Sequence, residues 1–132
     1  MIALNDAEYV LVDPGSPMSL DEFSSQICRL LDVDLSQRVQ ELNGYRWFSG
    51  LLGLDMLLDV EADDMGLESD PFPLGVATMS VGDKYALDED RQMQKQAARS
   101  VFDKLSKSTD WRLALVDEDG LYALQRPALQ PA

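Results

Sequence analysis

Six of the fifteen residues from Leu58 to Phe72, L-D-V-E-A-D-D-M-G-L-E-S-D-P-F, are carboxylates: Asp59, Glu61, Asp63, Asp64, Glu68 and Asp70. No lysine or arginine lies between Arg46 and Lys84 to answer them. Carboxylates at this density can hold calcium, do acid–base chemistry, or present a negative surface to a basic partner. They also form ordinary solvated loops. Counted from Asp59, acids occupy positions one, three, five and twelve of a calcium loop: Asp59, Glu61, Asp63 and Asp70. Position six should be glycine for the sharp turn and is Asp64; Gly66 sits at position eight; the closing bidentate glutamate is the shorter Asp70. Pro71 follows and disfavours an exiting helix. No metal site and no cofactor are therefore expected.

Catalysis fares no better. The chain has no histidine, so the commonest general acid–base group and transition-metal ligand is missing. Gly50 and Gly53 build neither a P-loop nor a dinucleotide fingerprint, and Ser49 in W-F-S-G-L lies in no nucleophile elbow. The single Cys28, beside an apolar helical face, reads as a small buried hydrophobe and excludes an intrachain disulfide. A non-enzymatic protein is the expectation.

Partner binding is the better-supported chemistry. The net charge is −13, from 24 acids and 11 bases, and it is unevenly placed. Residues 1–90 hold 19 acids and 4 bases, whereas residues 91–132 hold 5 acids and 7 bases. Such a field repels nucleic acid and anionic membrane and speeds encounter with a basic protein. The expected partner-binding set is Trp47, Asp55, Asp59, Glu61, Asp63, Asp64, Glu68 and Asp70. Tyr45, Trp47 and Phe48 lie just upstream, and an aromatic anchor ringed by acids is a common hot-spot composition. For Trp47 a core role and an interface role both stand.

These residues need elements to position them. With 45% hydrophobic residues, a chain of 132 can bury a core. Tyr9 to Val12 predicts a strand, closed by the turn Asp13-Pro14-Gly15. Ser19-Leu20-Asp21-Glu22 is a capping box opening a helix over Leu20–Leu31. Asn43-Gly44 fits either a type I′ hairpin turn or a helix ending, and the β-prone Tyr45 to Phe48 after it favours the hairpin. Alternation from Leu52 to Glu61 predicts one strand, with Leu52, Leu54, Met56, Leu58 and Val60 inward and Asp55, Asp59 and Glu61 outward. Asp63 to Asp70 then reads as an acidic connecting loop. Pro71 to Val81 predicts an antiparallel strand with Phe72, Leu74 and Val76 on one face. A second helix follows Asp88-Glu89-Asp90, with Met93, Ala97, Val101 and Leu105 at four-residue steps, Ala98 and Phe102 beside them, and Lys104 and Lys107 at its end. Trp111 to Val116 and Leu121 to Gln125 predict a hairpin across Asp117-Glu118-Asp119-Gly120.

The order predicts an α+β two-layer sandwich, an antiparallel sheet with two helices on one face, compatible with a ferredoxin-like topology. Residues 1–126 read as one domain and 127–132 as a frayed tail. The N-terminus carries no secretory-signal pattern and no stretch is long enough to span a membrane, so a cytoplasmic protein is expected.

Size, acidity, element order and the stretch A-A-R-S-V-F-D-K-L-S-K-S-T-D-W-R-L-A-L-V-D-E-D-G-L-Y-A-L, from Ala97 to Leu124, resemble the immunity proteins of bacterial polymorphic-toxin and contact-dependent inhibition systems. The resemblance implies a cytoplasmic antidote that occludes one cognate toxin domain, often a basic nuclease, without doing chemistry. A second reading is an acidic, dimeric secretion chaperone holding an effector segment; a third is a DNA mimic whose carboxylates stand in for phosphates.

Overall fold

The computed structural model describes residues 8–53, 56–67, 69–80, 88–116 and 122–129, with the backbone alone for Asp63, Asp64, Ser80 and 88–91. The elements are β1 (Glu8–Asp13), α1 (Leu20–Leu31), β2 (Ser36–Val39), β3 (Arg46–Leu52), β4 (Met56–Leu67), β5 (Asp70–Ser80), α2 (Asp88–Ser108), β6 (Arg112–Val116) and β7 (Tyr122–Arg126). The protein is α+β: two helices and, among the described residues, one seven-stranded sheet in the order β2-β3-β4-β5-β1-β6-β7. Every pairing is antiparallel.

Local chemistry explains where the elements begin and end. The Ser19 hydroxyl accepts the Glu22 N–H at 3.1 Å and caps α1. Asp32, at φ 55°, closes the helix in the left-handed conformation. Strands β2 and β3 do form a hairpin, but across a wider connection than a two-residue turn: Gln40 N–H bonds Tyr45 O, and Gly44 N–H bonds Gln40 O, both at 2.8 Å.

Alternation along β1 sorts its side chains between two apolar clusters. Val10 and Val12 join Leu58, Val60, Leu74, Val76 and Leu113 in the larger cluster, which also takes Phe23, Ile27 and Leu31 of α1 and Ala98, Val101, Phe102 and Leu105 of α2. Leu11 points the other way and packs with Phe72 and Ala114. Trp111 closes the larger core against Phe23, with ring centroids 5.7 Å apart.

Four expectations are corrected. First, Leu52 to Glu61 is not one strand. Leu52 ends β3 and pairs with Met56 of β4, and Gly53 turns the chain at φ +74°. Second, the acidic loop is strand. Leu67 pairs with Asp70, so only Glu68 and Ser69 separate β4 from β5. Asp63 and Asp64 together stand opposite the single Pro73, a bulge of the kind that accommodates a proline without a ladder donor. Third, past that bulge Phe72 pairs with Met65 and joins the second cluster rather than sharing a face with Leu74 and Val76. Fourth, the buried stripe of α2 holds Ala98, Val101, Phe102 and Leu105 as expected, but it begins at Gln94, while Met93 is exposed. Repeated four-residue steps drift around a helix of 3.6 residues per turn; the alternating steps from 94 to 105 stay on one side.

The C-terminal segment is tied down at its start. The Arg126 guanidinium donates to the carbonyls of Ser106 and Trp111, and Leu129 N–H bonds Asp110 O at 3.0 Å. The turn Asp117 to Gly120 lies outside the described residues.

Candidate partner-binding face

Phe48 of β3 pairs with Val60 of β4, and both belong to the larger core. Their sequence neighbours therefore face the opposite side of the sheet. Ser49 and Asp59 pair there, followed across the sheet by Ala77, Tyr9 and Val116 in register. Glu61 and Trp47 sit on the same face. Trp47 is half-buried and stacks on Tyr45, with centroids 5.9 Å apart and planes 26° from parallel. The Tyr45 hydroxyl donates to Ala62 O at 3.4 Å, which ties the aromatic pair to β4. Arg38 of edge strand β2 stands opposite Trp47.

Asp59 does not point into solvent, as the alternation alone led one to expect. It is 9% exposed. The Ser49 hydroxyl hydrogen-bonds its carboxylate, while its Oδ1 has no partner among the described residues. Burial pushes its pKa up; the Ser49 bond and the Arg38 charge pull against that without cancelling it. The Tyr9 hydroxyl is also raised, first by burial and then by the charges of Glu61 and Asp59. Tyr9, Asp59 and Glu61 thus form one electrostatic unit on this face. Glu61 is half-buried and engaged within the protein.

Asp70 serves a different purpose. The Arg112 guanidinium lies 3.9 Å over the Phe72 ring and donates to Asp70 Oδ1 at 2.6 Å, Pro71 O at 2.8 Å and Asp13 Oδ2 at 3.4 Å. The Tyr122 hydroxyl accepts the Leu67 N–H at 3.1 Å and donates to Asp70 O at 2.8 Å. These bonds pin the tip of the β4–β5 hairpin to β6 and β7. Gly66, at φ +85°, is needed for the clamp, because a Cβ there would stand 2.5 Å from the Tyr122 hydroxyl.

Of the expected set, the structure brings Trp47, Asp59 and Glu61 together and sets Asp70 apart. Asp55 and Glu68 lie outside the described residues, as do the side chains of Asp63 and Asp64. Among the described residues no three Asp, Glu or Cys side chains converge as a cation would require. Cys28 is half-buried rather than buried. Tyr9, Ser49, Arg38, Arg112 and Tyr122 were not anticipated. Tyr9 was legible in principle: in Tyr9 to Val12 it shares parity with Leu11 and not with Val10. The others depend on pairings between strands distant in sequence.

Among the described residues no helix is long and apolar enough to cross a membrane. No protein-family model, no curated protein and no solved structure matches the chain.

Proposed function

We propose that this chain is a non-enzymatic cytoplasmic immunity protein that binds a basic bacterial toxin domain and neutralises it by occlusion. The observation that carries the reading is the stacked Tyr45–Trp47 pair beside Glu61 and Asp59, on the sheet face turned away from the helix-bearing core. Aromatic faces next to carboxylates receive lysine and arginine well, since the ring quadrupole and the anion attract the same cation. Because Asp59 is buried and Asp70 is committed to Arg112, direct contact falls to Trp47 and Glu61. Asp55, Asp63, Asp64 and Glu68 add to the steering field.

The fold reading attached to this is a two-layer sandwich of ferredoxin-like order. Strands β4-β5-β1-β6 form the central four, with α1 following β1 and α2 joining β5 to β6; β2–β3 and β7 extend the two edges.

The test is co-expression with the product of the neighbouring gene. Protection and co-purification are expected, with Trp47→Ala and Glu61→Lys each weakening binding by about tenfold or more. Absence of both protection and co-purification sinks the proposal. The secretion-chaperone alternative has one observation in its favour: among the described residues β2 is an edge strand with all four residues exposed, and an extended effector segment could join such an edge. It requires a homodimer, and sedimentation as a monomer removes it. The DNA-mimic reading needs exposed, evenly spaced carboxylates, and the burial of Asp59 and pairing of Asp70 take two of them away.

A further inference from the structure

The bases of this acidic chain gather on one element. Five of its 11 lysines and arginines lie on α2: Arg91, Lys95, Arg99, Lys104 and Lys107. Four of them line a single open cavity of about 880 Å³ between the outer side of α2 and strands β6 and β7, with Leu115 and Ala123 supplying apolar surface. Helix periodicity accounts for the gathering. Ala98, Val101, Phe102 and Leu105 turn inward, which leaves the basic positions to the rest of the helix circumference: 99 and 107 share the outer arc, with 95 and 104 on its two flanks. The cavity holds two acids, Glu8 and Asp103, against the four bases. Asp103 is held by Arg99 in an exposed pair at 3.4 Å, and Lys95 and Glu8 are each engaged within the protein. Among the described residues, Lys104 and Lys107 have no carboxylate partner.

We propose that this cavity binds a small organic anion, an apolar body carrying phosphate. Its volume lies in the range of small-molecule sites, roughly 300–1,000 Å³. The Arg99 fork, the lysine ammonium groups and the Ser100 hydroxyl are donors suited to phosphate oxygens, and Leu115 and Ala123 suit an apolar body. A polyanion such as nucleic acid meets the repulsion of the net −13 charge over its whole length. A small ligand feels chiefly the charges within a screening length of about 8 Å. The Arg99–Asp103 pair is exposed and weak, so Arg99 turns to a ligand at little cost. This site is independent of the partner-binding face, and neither proposal depends on the other.

The test uses the full chain and 8-anilinonaphthalene-1-sulfonate, an aromatic anion, as the probe. Saturable one-to-one fluorescence is expected, together with amide shift changes at Ser100, Leu115 and Ala123. Pyrophosphate should displace the probe. The double variant Lys104→Gln/Lys107→Gln should weaken probe binding about tenfold, the loss expected for two charge-assisted contacts. Arg29→Gln, which removes one exposed charge from α1, should leave it unchanged. Absence of saturable binding, or equal weakening in the Arg29 variant, overturns the site. Displacement by decanoate but not by pyrophosphate overturns the phosphate assignment. Circular dichroism of each variant separates lost binding from lost fold.

Discussion

Asp59 carries the most consequential single-residue chemistry in the molecule. Its carboxyl is buried, half-satisfied by Ser49, and raised in pKa chiefly by desolvation. The sign of its effect on stability follows from linkage. The folded state holds this proton more tightly than the unfolded chain does. The stabilisation is therefore complete below the ordinary carboxylate range and is lost as pH rises through the raised folded value. Asp59→Asn lacks this loss. Thermal melts should show its melting temperature pulling ahead of wild type by a few degrees as pH rises from acid to neutral, and converging with it in acid. A gap independent of pH would mean that Asp59 is ionised without penalty. For the same reason Asp59→Lys is a poor test of the partner interface, because a buried ammonium replaces a buried carboxyl and folding itself suffers. Tyr122→Phe removes both hydrogen bonds of its hydroxyl at the hairpin tip. It should cost about 1–2 kcal/mol in urea unfolding and speed hydrogen exchange at Leu67 while leaving α1 protected.

At the scale of elements, the β4–β5 hairpin and α2 both depart from what local pattern suggested, for different reasons. Asp is a poor strand former, so Asp63 to Asp70 reads as loop from propensity. The strand persists because β5 supplies a partner along its length and Arg112 and Tyr122 fasten its tip. In α2 the four-residue series through Met93 and Ala97 drifts off the buried face, which runs instead through Gln94, Ala98 and Phe102. The sheet residues Val10, Val76 and Leu113 share the core with Ala98, Val101, Phe102 and Leu105. Met93→Ala should therefore change stability by less than about 0.5 kcal/mol, whereas Leu105→Ala should cost about 2–5 kcal/mol. Equal losses in denaturant melts would restore Met93 to the core.

The whole molecule is electrostatically divided. The acids lie mostly before residue 91, while four bases line the α2 cavity. If the acidic side steers a basic toxin, association should slow with added salt much more than dissociation quickens. Asp63→Lys/Asp64→Lys should slow association about tenfold or more at low salt and much less at high salt. Stopped-flow mixing with the partner measures both. An association rate indifferent to salt would place the interface away from the acids.

The sequence by itself determined the ends of α1, since Ser19, Glu22 and the apolar spacing act within a few residues of one another. It determined the existence of α2 and the strand character of β1, β5 and β6, because periodicity is a local property. It determined the charge and the missing histidine, and with them the functions worth considering. Only the tertiary structure decided which carboxylates are available. Asp59 is buried because β5 and β1 flank β4 on one side and β3 on the other, and Asp70 is neutralised by an arginine 42 residues away. Only the tertiary structure turned the acidic loop into strand, since a strand's hydrogen bonds are made by a neighbour rather than by itself. It also gathered Tyr9, Trp47 and Glu61 on one face and the bases of α2 over β6 and β7, because strand order, unlike periodicity, is set by long-range packing.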